Sequence, residues 1–326
     1  MQNGFILDSK EHNKAYYGGN MLKYGISIDN ENYIVKAYND CVTELYSEYV
    51  ASRFICSMDV LCQEAWLGFD ENNNKVVIVK DFKKLGEILK AYKDISQSSE
   101  DTDLSNKAYT YNDVAYVIDK NVKLNKMSKE AMTTQFWQQF MLDAILGNRD
   151  RHWGNWGYLL NSDRKVARVA PIYDNGGSLF PGVEKYIEEM KTDEKKFICD
   201  RSGYHPASVL RTMTMTGSKK SNYYKIIGMI ADEKPDKYDS LSDEDRKKTD
   251  FEKKNMQIPE FIQIYNEFKS KYTVDDIADR IKDAVNTVMI EDTYQRFYKL
   301  VTITRYLHII LRKDLDESYE IAYRLV

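Results

Sequence analysis

The stretch NRDRHWGNWGYLL, residues 148–160, sets Asp150 and Asn155 five positions apart, between an apolar helix-like run and an apolar strand-like one. Asp, Asn and His seldom gather at such a corner unless something satisfies their hydrogen bonds. A carboxylate there can accept a hydroxyl proton, and an amide oxygen can bind a hard cation. Nineteen residues after Asn155 comes Asp174, in YDNGG. The double glycine lets the backbone fold away sharply and leaves the carboxylate aimed inward. A cation shared by Asn155 and Asp174 would join the two ends of the segment between them.

Upstream lie three further parts. AYYGGNMLKYG holds a glycine turn, and Lys36 ends the strand-like YIVK, on the same face as Ile34, an odd place for a solvated charge. Glu44 and Glu48 lie one helical turn apart, so either can reach a common neighbour. Phosphoryl transfer from ATP needs parts of this sort in this order. A loop covers the phosphates, a lysine held by a carboxylate neutralises them, an aspartate takes the hydroxyl proton, and an amide and a carboxylate hold magnesium.

The elements that must position these groups can be read from periodicity. KYGISI and YIVKAY flank Asp29 to Asn32 as a hairpin, CVTELYSEYVASRFIC (41–56) has helical spacing, and EAWLGFD and VVIVKDF form a second strand pair. After Phe82 the pattern turns helical. Ser128 is the expected N-cap of a long helix that Gly147 ends, and WGYLL with KVARVA forms a hairpin around Asn161 to Asp163. Residues 231–257 read as a solvated charged segment, and about three helices are expected from Pro259 onward. The expected fold is α+β and two-lobed: a small antiparallel-sheet lobe with one helix, residues 1–81, and a mainly helical lobe, residues 82–326.

Composition narrows the classes. The chain has 326 residues, 43% hydrophobic and 30% charged, the profile of a folded protein rather than a disordered one. It has no apolar run long enough to span a membrane, and its start does not read as a Sec signal peptide. A soluble, cytoplasmic-type protein is expected, with export by another route left open and the oligomeric state undetermined. Residues 1–82 carry seven Lys/Arg against twelve Asp/Glu, a poor surface for a phosphate backbone, so no nucleic-acid partner is expected. Cys41, Cys56, Cys62 and Cys199 lack paired metal spacing and read as reduced thiols.

The motifs LGNRDRHWGNWGYL and APIYDNGGSL, together with YIVK and SEYVASRF, resemble those of the HipA-like serine/threonine kinases, a bacterial branch of the protein-kinase-like fold. The resemblance covers most of residues 16–180 and extends to the helical remainder. It implies an ATP- and Mg²⁺-dependent serine/threonine protein kinase, autophosphorylating, with a protein hydroxyl as substrate. By the same resemblance Asp150 is the base, Asn155 and Asp174 bind Mg²⁺, and Lys36 holds the α/β-phosphates with Glu48 as partner and Glu44 as fallback. Gly18, Gly19 and Asn20 shape the phosphate loop with Lys23 nearby. Val79, Lys80, Asp81 and Phe82 form the hinge that meets adenine, and His152 braces the loop.

Two departures from the family stand out. Lys36 comes too early to leave room for the additional N-terminal subdomain of the family's toxins, so antitoxin pairing and operator binding are not expected. Residues 15–23 contain no Ser or Thr, so autophosphorylation inside the phosphate loop is not expected either. RTMTMTGSKKS (211–221) offers other hydroxyls, or a plain alternating strand. Rival readings are a small-molecule kinase of the aminoglycoside or choline type and a non-catalytic nucleotide-binding scaffold.

Overall fold

Asp29 and Asn30 both adopt positive φ, 50° and 64°, the conformation a two-residue hairpin turn requires and one that Asp and Asn tolerate. They join β2 (Leu22–Ile28) to β3 (Glu31–Ala37), so the hairpin is longer and its turn tighter than the sequence pattern suggested. The computed structural model describes residues 2–7, 12–13, 22–37, 41–92, 94, 111–120, 124–203, 223–231, 238–255 and 257–326.

β4 (Ala65–Phe69) and β5 (Lys75–Lys80) complete the first sheet, and β1 (Phe5–Ile6), not anticipated, adds a parallel edge to β4. The order is β1-β4-β5-β3-β2. Strand alternation gives the sheet two different faces. Ile26, Tyr33, Val35, Val76 and Ile78 cluster with Leu7 on one side. Lys36, Leu67, Val77 and Val79 face the other, where α1 (Val42–Cys56) packs.

α1 is buried nearly all round, because its far side meets the C-terminal helices rather than water. Tyr46 Oη donates to Glu291 at 2.9 Å, and Tyr272 Oη donates to the Met58 carbonyl at 2.6 Å just beyond its end. One apolar core therefore runs from the first sheet into the helical part. That matters for the site, since the helix bearing Glu48 is held from both sides.

A second sheet follows: β6 (Ile88–Ala91), β7 (Gly157–Leu160) and β8 (Val166–Val169), in that order. β6 lies in a region that reads as helical from Phe82 onward. Its ILKA run is too short for periodicity to separate strand from helix. α2 (Tyr111–Lys120) and α3 (Lys126–Leu146) come between β6 and β7. The N-cap of α3 is Asn125, whose side chain accepts from the Ser128 amide at 2.9 Å; Ser128 is the third helical residue and not the cap.

Gly147, at φ 66°, closes α3 in the left-handed cap conformation. Beyond the second sheet come α4 (Ile187–Thr192), α5 (Glu194–Gly203), α6 (Tyr223–Ile230) and α7 (Asp243–Asn255), the last within the charged segment. The chain closes with α8 (Pro259–Lys271), α9 (Val274–Val285), α10 (Asp292–Arg305), a π-turn over Tyr306–Ile310 and α11 (Leu315–Leu325). The result is an α+β chain with a curled-sheet front lobe and a helical back lobe. Among the described residues no helix is long and apolar enough to cross a membrane.

Candidate active site

Lys36 is 4% exposed, which a lone ammonium could not tolerate. Its Nζ lies 2.9 Å from Glu48 Oε2 and 3.2 Å from Asp174 Oδ1. Burial alone would lower the lysine's pKa, but the two carboxylates outweigh it and raise it. The antiparallel register sets Lys23 directly across from Lys36, on the same face of the sheet. Lys36 foremost, and Lys23 after the cost of burial, hold the Asp174 carboxyl at about 2. Glu48, not Glu44, is thus the helix partner. Glu44 lies toward Glu184 instead, and burial with that neighbour's charge pushes its carboxyl up.

The second carboxylate oxygen of Glu48 accepts the Asn175 amide at 3.2 Å, so one buried side chain ties the strand lysine to the loop that carries Asp174. Asp174 itself sits at φ 58°, the left-handed conformation, and turns its side chain back toward Lys36. Because its folded pKa lies below the ordinary 3.8, the pairing contributes stability at neutral pH that is lost as pH falls toward about 2. We expect unfolding free energy in metal-free buffer to drop by about 1 kcal/mol over that window, the side chain being part-exposed. Chemical denaturation at a series of pH values measures it, and Lys36→Met should flatten the step.

The corner at 148–155 is built from beneath. Arg305, fully buried, donates to the Ala144 and Ile145 carbonyls at 2.6 and 3.0 Å, and burial pushes its guanidinium down to about 9. It thereby satisfies the last turn of α3 where the corner begins. Arg151 then points inward. It holds Asp143 of α3 in a two-pronged contact at 2.9 and 3.1 Å, and donates to the carbonyls of Asn155 (3.2 Å) and Tyr173 (2.5 Å) and to Asn175 Oδ1 (2.7 Å). Burial pushes the Asp143 carboxyl up, and Arg151 opposes it. One guanidinium fork thus fixes both ends of the hairpin between Asn155 and Asp174.

Asp150 stays exposed. Its amide donates to Asn148 Oδ1 at 2.9 Å and its carbonyl accepts Asn155 Nδ2 at 3.1 Å. With Nδ2 committed, Oδ1 is the end of the Asn155 amide that can take a cation. An amide oxygen beside a carboxylate is a hard donor set of the kind magnesium takes, with few protein ligands. His152 is exposed, and its Nδ1 accepts the Gly154 amide at 2.9 Å, which braces the corner locally. Trp156 stacks on Tyr92 at 4.3 Å and Trp153 lies 4.8 Å from the same ring, so both anchor the corner in the core.

The segment 79–82 borders this face. Val79 is buried in the core. The amides of Lys80 and Asp81 donate to Glu64 and Asn32, at 2.9 Å each, while Gln63 and Arg168 donate to the Lys80 and Phe82 carbonyls. Those two amides are spoken for inside the chain, which narrows how this segment can meet a base. Gly18, Gly19 and Asn20, and the hydroxyl-bearing residues 211–221, lie outside the described residues.

Residues 15–289 match the model of the HipA-like C-terminal domain. The chain belongs to the HipA-like family. Within the HipA-like family it is 31% identical to serine/threonine-protein kinase CtkA of Helicobacter pylori (strain J99 / ATCC 700824) over 226 residues, 66% of each chain. The crystal structure of a Helicobacter pylori proinflammatory kinase CtkA superposes with a TM-score of 0.69, covering 94% of this chain and 96% of that one at 23% identity. This HipA-like chain therefore shares that kinase's fold over nearly its whole length.

Arg151, Asp143, Asn175 and Asn148 escaped the sequence reading, although all four are buried at the centre of the site. Asp143 did leave a signal: it is the one carboxylate inside the apolar AMTTQFWQQFMLDAILG run, and a charge there needs a partner.

Proposed function

We propose that this chain is an ATP- and magnesium-dependent protein kinase that phosphorylates serine or threonine hydroxyls, its own included. The observation that carries the reading is the convergence of Lys36, Glu48 and Asp174 within 3.2 Å contacts, roped through Arg151 to the Asp150–Asn155 corner. In this reading Lys36, oriented by Glu48, neutralises the α/β-phosphates, with Lys23 adding charge on the same face. Gly18, Gly19 and Asn20 cover the phosphates, and the segment Val79 to Phe82 meets adenine. Magnesium, held by Asn155 and Asp174, screens phosphate charge when bound. Asp150 takes the proton of the attacking hydroxyl as its oxygen bonds to the γ-phosphorus and the bond to the β-phosphate oxygen breaks. The partner is a protein hydroxyl, and no nucleic-acid or membrane partner enters the scheme.

The direct test is incubation with labelled ATP and Mg²⁺, with and without a chelator, in the presence of a general protein substrate and of soluble alcohols. Chelator-sensitive label on mapped Ser or Thr residues is the expected result. Label on a soluble alcohol alone would replace protein by small molecule as substrate, and no label at all would end the reading.

Gly177 offers a sharper probe. A Cβ there would lie 2.7 Å from Asp150 Cβ and 2.8 Å from Asn148 Oδ1, so Gly177→Ala must push Asp150 aside. Misplacement of about 1 Å costs on the order of 10²-fold in rate. We expect kcat in the labelled-ATP assay to fall by about that factor, measured below a thermal midpoint that itself falls because the overpacked corner costs about 1–3 kcal/mol; an unaltered kcat would place Asp150 outside the reaction.

A further inference from the structure

Cys56 is the last residue of α1, and the chain returns to it within a short loop. Leu61 and Gln63 exchange backbone hydrogen bonds with Ile172 at 2.8 Å, which lays Cys62 alongside the segment that runs on to Asp174. Both sulfurs converge on one acceptor: Cys56 Sγ lies 4.0 Å and Cys62 Sγ 3.5 Å from the Gln63 carbonyl oxygen. Cys56 is exposed and Cys62 only partly so. The Cys62 thiol beside it holds the Cys56 thiol below the ordinary range, while burial pushes Cys62, Cys41 and Cys199 up. An accessible, acidified thiol next to a less accessible one is the arrangement in which peroxide oxidation is resolved within the protein.

Cys62 is also part of the candidate site's underside. Asn175 Nδ2 points at both Ser52 Oγ (3.0 Å) and Cys62 Sγ (3.8 Å), and the Asn175 amide donates to Glu48. We propose that Cys56 and Cys62 are a peroxide-oxidised disulfide site that acts on the Asp174 loop through Asn175. The Cys56 thiolate attacks a peroxide oxygen; the O–O bond breaks, leaving a sulfenic acid and releasing one water once the hydroxide is protonated. The Cys62 sulfur then attacks the Cys56 sulfur, the S–S bond forms and a second water leaves. Two thiols are oxidised as one hydrogen peroxide is reduced to two waters. The new bond turns the Cys62 sulfur from Asn175 toward the end of α1, and the loop loses one of its holds. Excess small thiol reverses the change.

The consequence for activity rests on the kinase reading; the bond itself does not. Wild type and Cys56→Ser are treated with hydrogen peroxide, alkylated, and compared by intact mass, non-reducing peptide mapping, amide exchange over residues 170–177 and labelled-ATP turnover. In the wild type we expect loss of two hydrogen masses and a Cys56–Cys62 cross-linked peptide. Exchange at Asn175 to Gly177 should quicken and turnover should fall about tenfold, the scale of one hydrogen bond. Dithiothreitol should restore the reduced state, and Cys56→Ser should show none of these changes. Two alkylated thiols at these positions after peroxide, or a bond to Cys41 or Cys199, would overturn the site. A Cys56–Cys62 bond with unchanged exchange would overturn its action on the loop. A reduced wild type without turnover counts against the kinase reading, and mass and exchange still decide this one.

Discussion

Asp150→Ala is expected to lower phosphoryl transfer by about 10²- to 10⁴-fold, the range a positioned general base supplies. The structure makes this a clean substitution. Asp150 is anchored through its backbone, by the Asn148 side chain and the Asn155 amide, and its carboxylate is exposed. Removing the carboxylate therefore leaves the corner's hydrogen bonds standing, and a surface change of this kind alters stability by no more than about 0.5 kcal/mol. The signature is a lost kcat, measured under single turnover with labelled ATP, beside an unfolding curve that overlays the wild type. A variant that keeps its kcat would remove Asp150 from the proton transfer and would point to a different residue at this corner.

Arg151→Met should show the opposite pairing, a large loss of stability together with a loss of rate. Arg151 is fully buried and satisfies Asp143, two backbone carbonyls and Asn175. Truncating it leaves the Asp143 carboxylate buried without its counter-ion, a defect of about 3–5 kcal/mol. The double variant Asp143→Leu/Arg151→Met removes both charges and should regain most of that stability, since a buried ion pair is often matched by apolar packing. It should not regain rate, because the fork that ties Asn155 to Tyr173 and Asn175 is still missing. Urea unfolding of the wild type, the single and the double variant, with kcat measured on each, separates the two roles. An Arg151→Met protein as stable as the wild type would show that the pair does not carry the corner.

Much of this candidate site is legible in the sequence. Lys36 advertised itself by sharing a strand face with Ile34, because a period of two sends both into the same environment. The corner at 148–155 was visible because polar side chains crowded an apolar boundary. β6 was missed because four residues hold too little periodicity. The cap of α3 was misplaced by three residues because Asn125 and Ser128 are both good cap types, and only the hydrogen bond from the Ser128 amide to Asn125 separates them.

What the chain's order alone determined was local: which stretches pair as hairpins, where α1 and α3 run, and which oxygen-bearing and cationic side chains stand at strand ends and turns. Local rules suffice there because turn geometry and side-chain period act over a few residues. Tertiary structure decided the long-range choices. Glu48 rather than Glu44 meets Lys36, since the rotation of α1 between the sheet and the C-terminal helices sets which face looks inward. Arg151 grips Asp143, Tyr173 and Asn175, partners up to 24 positions away, because burial forces a guanidinium to find acceptors wherever the fold brings them.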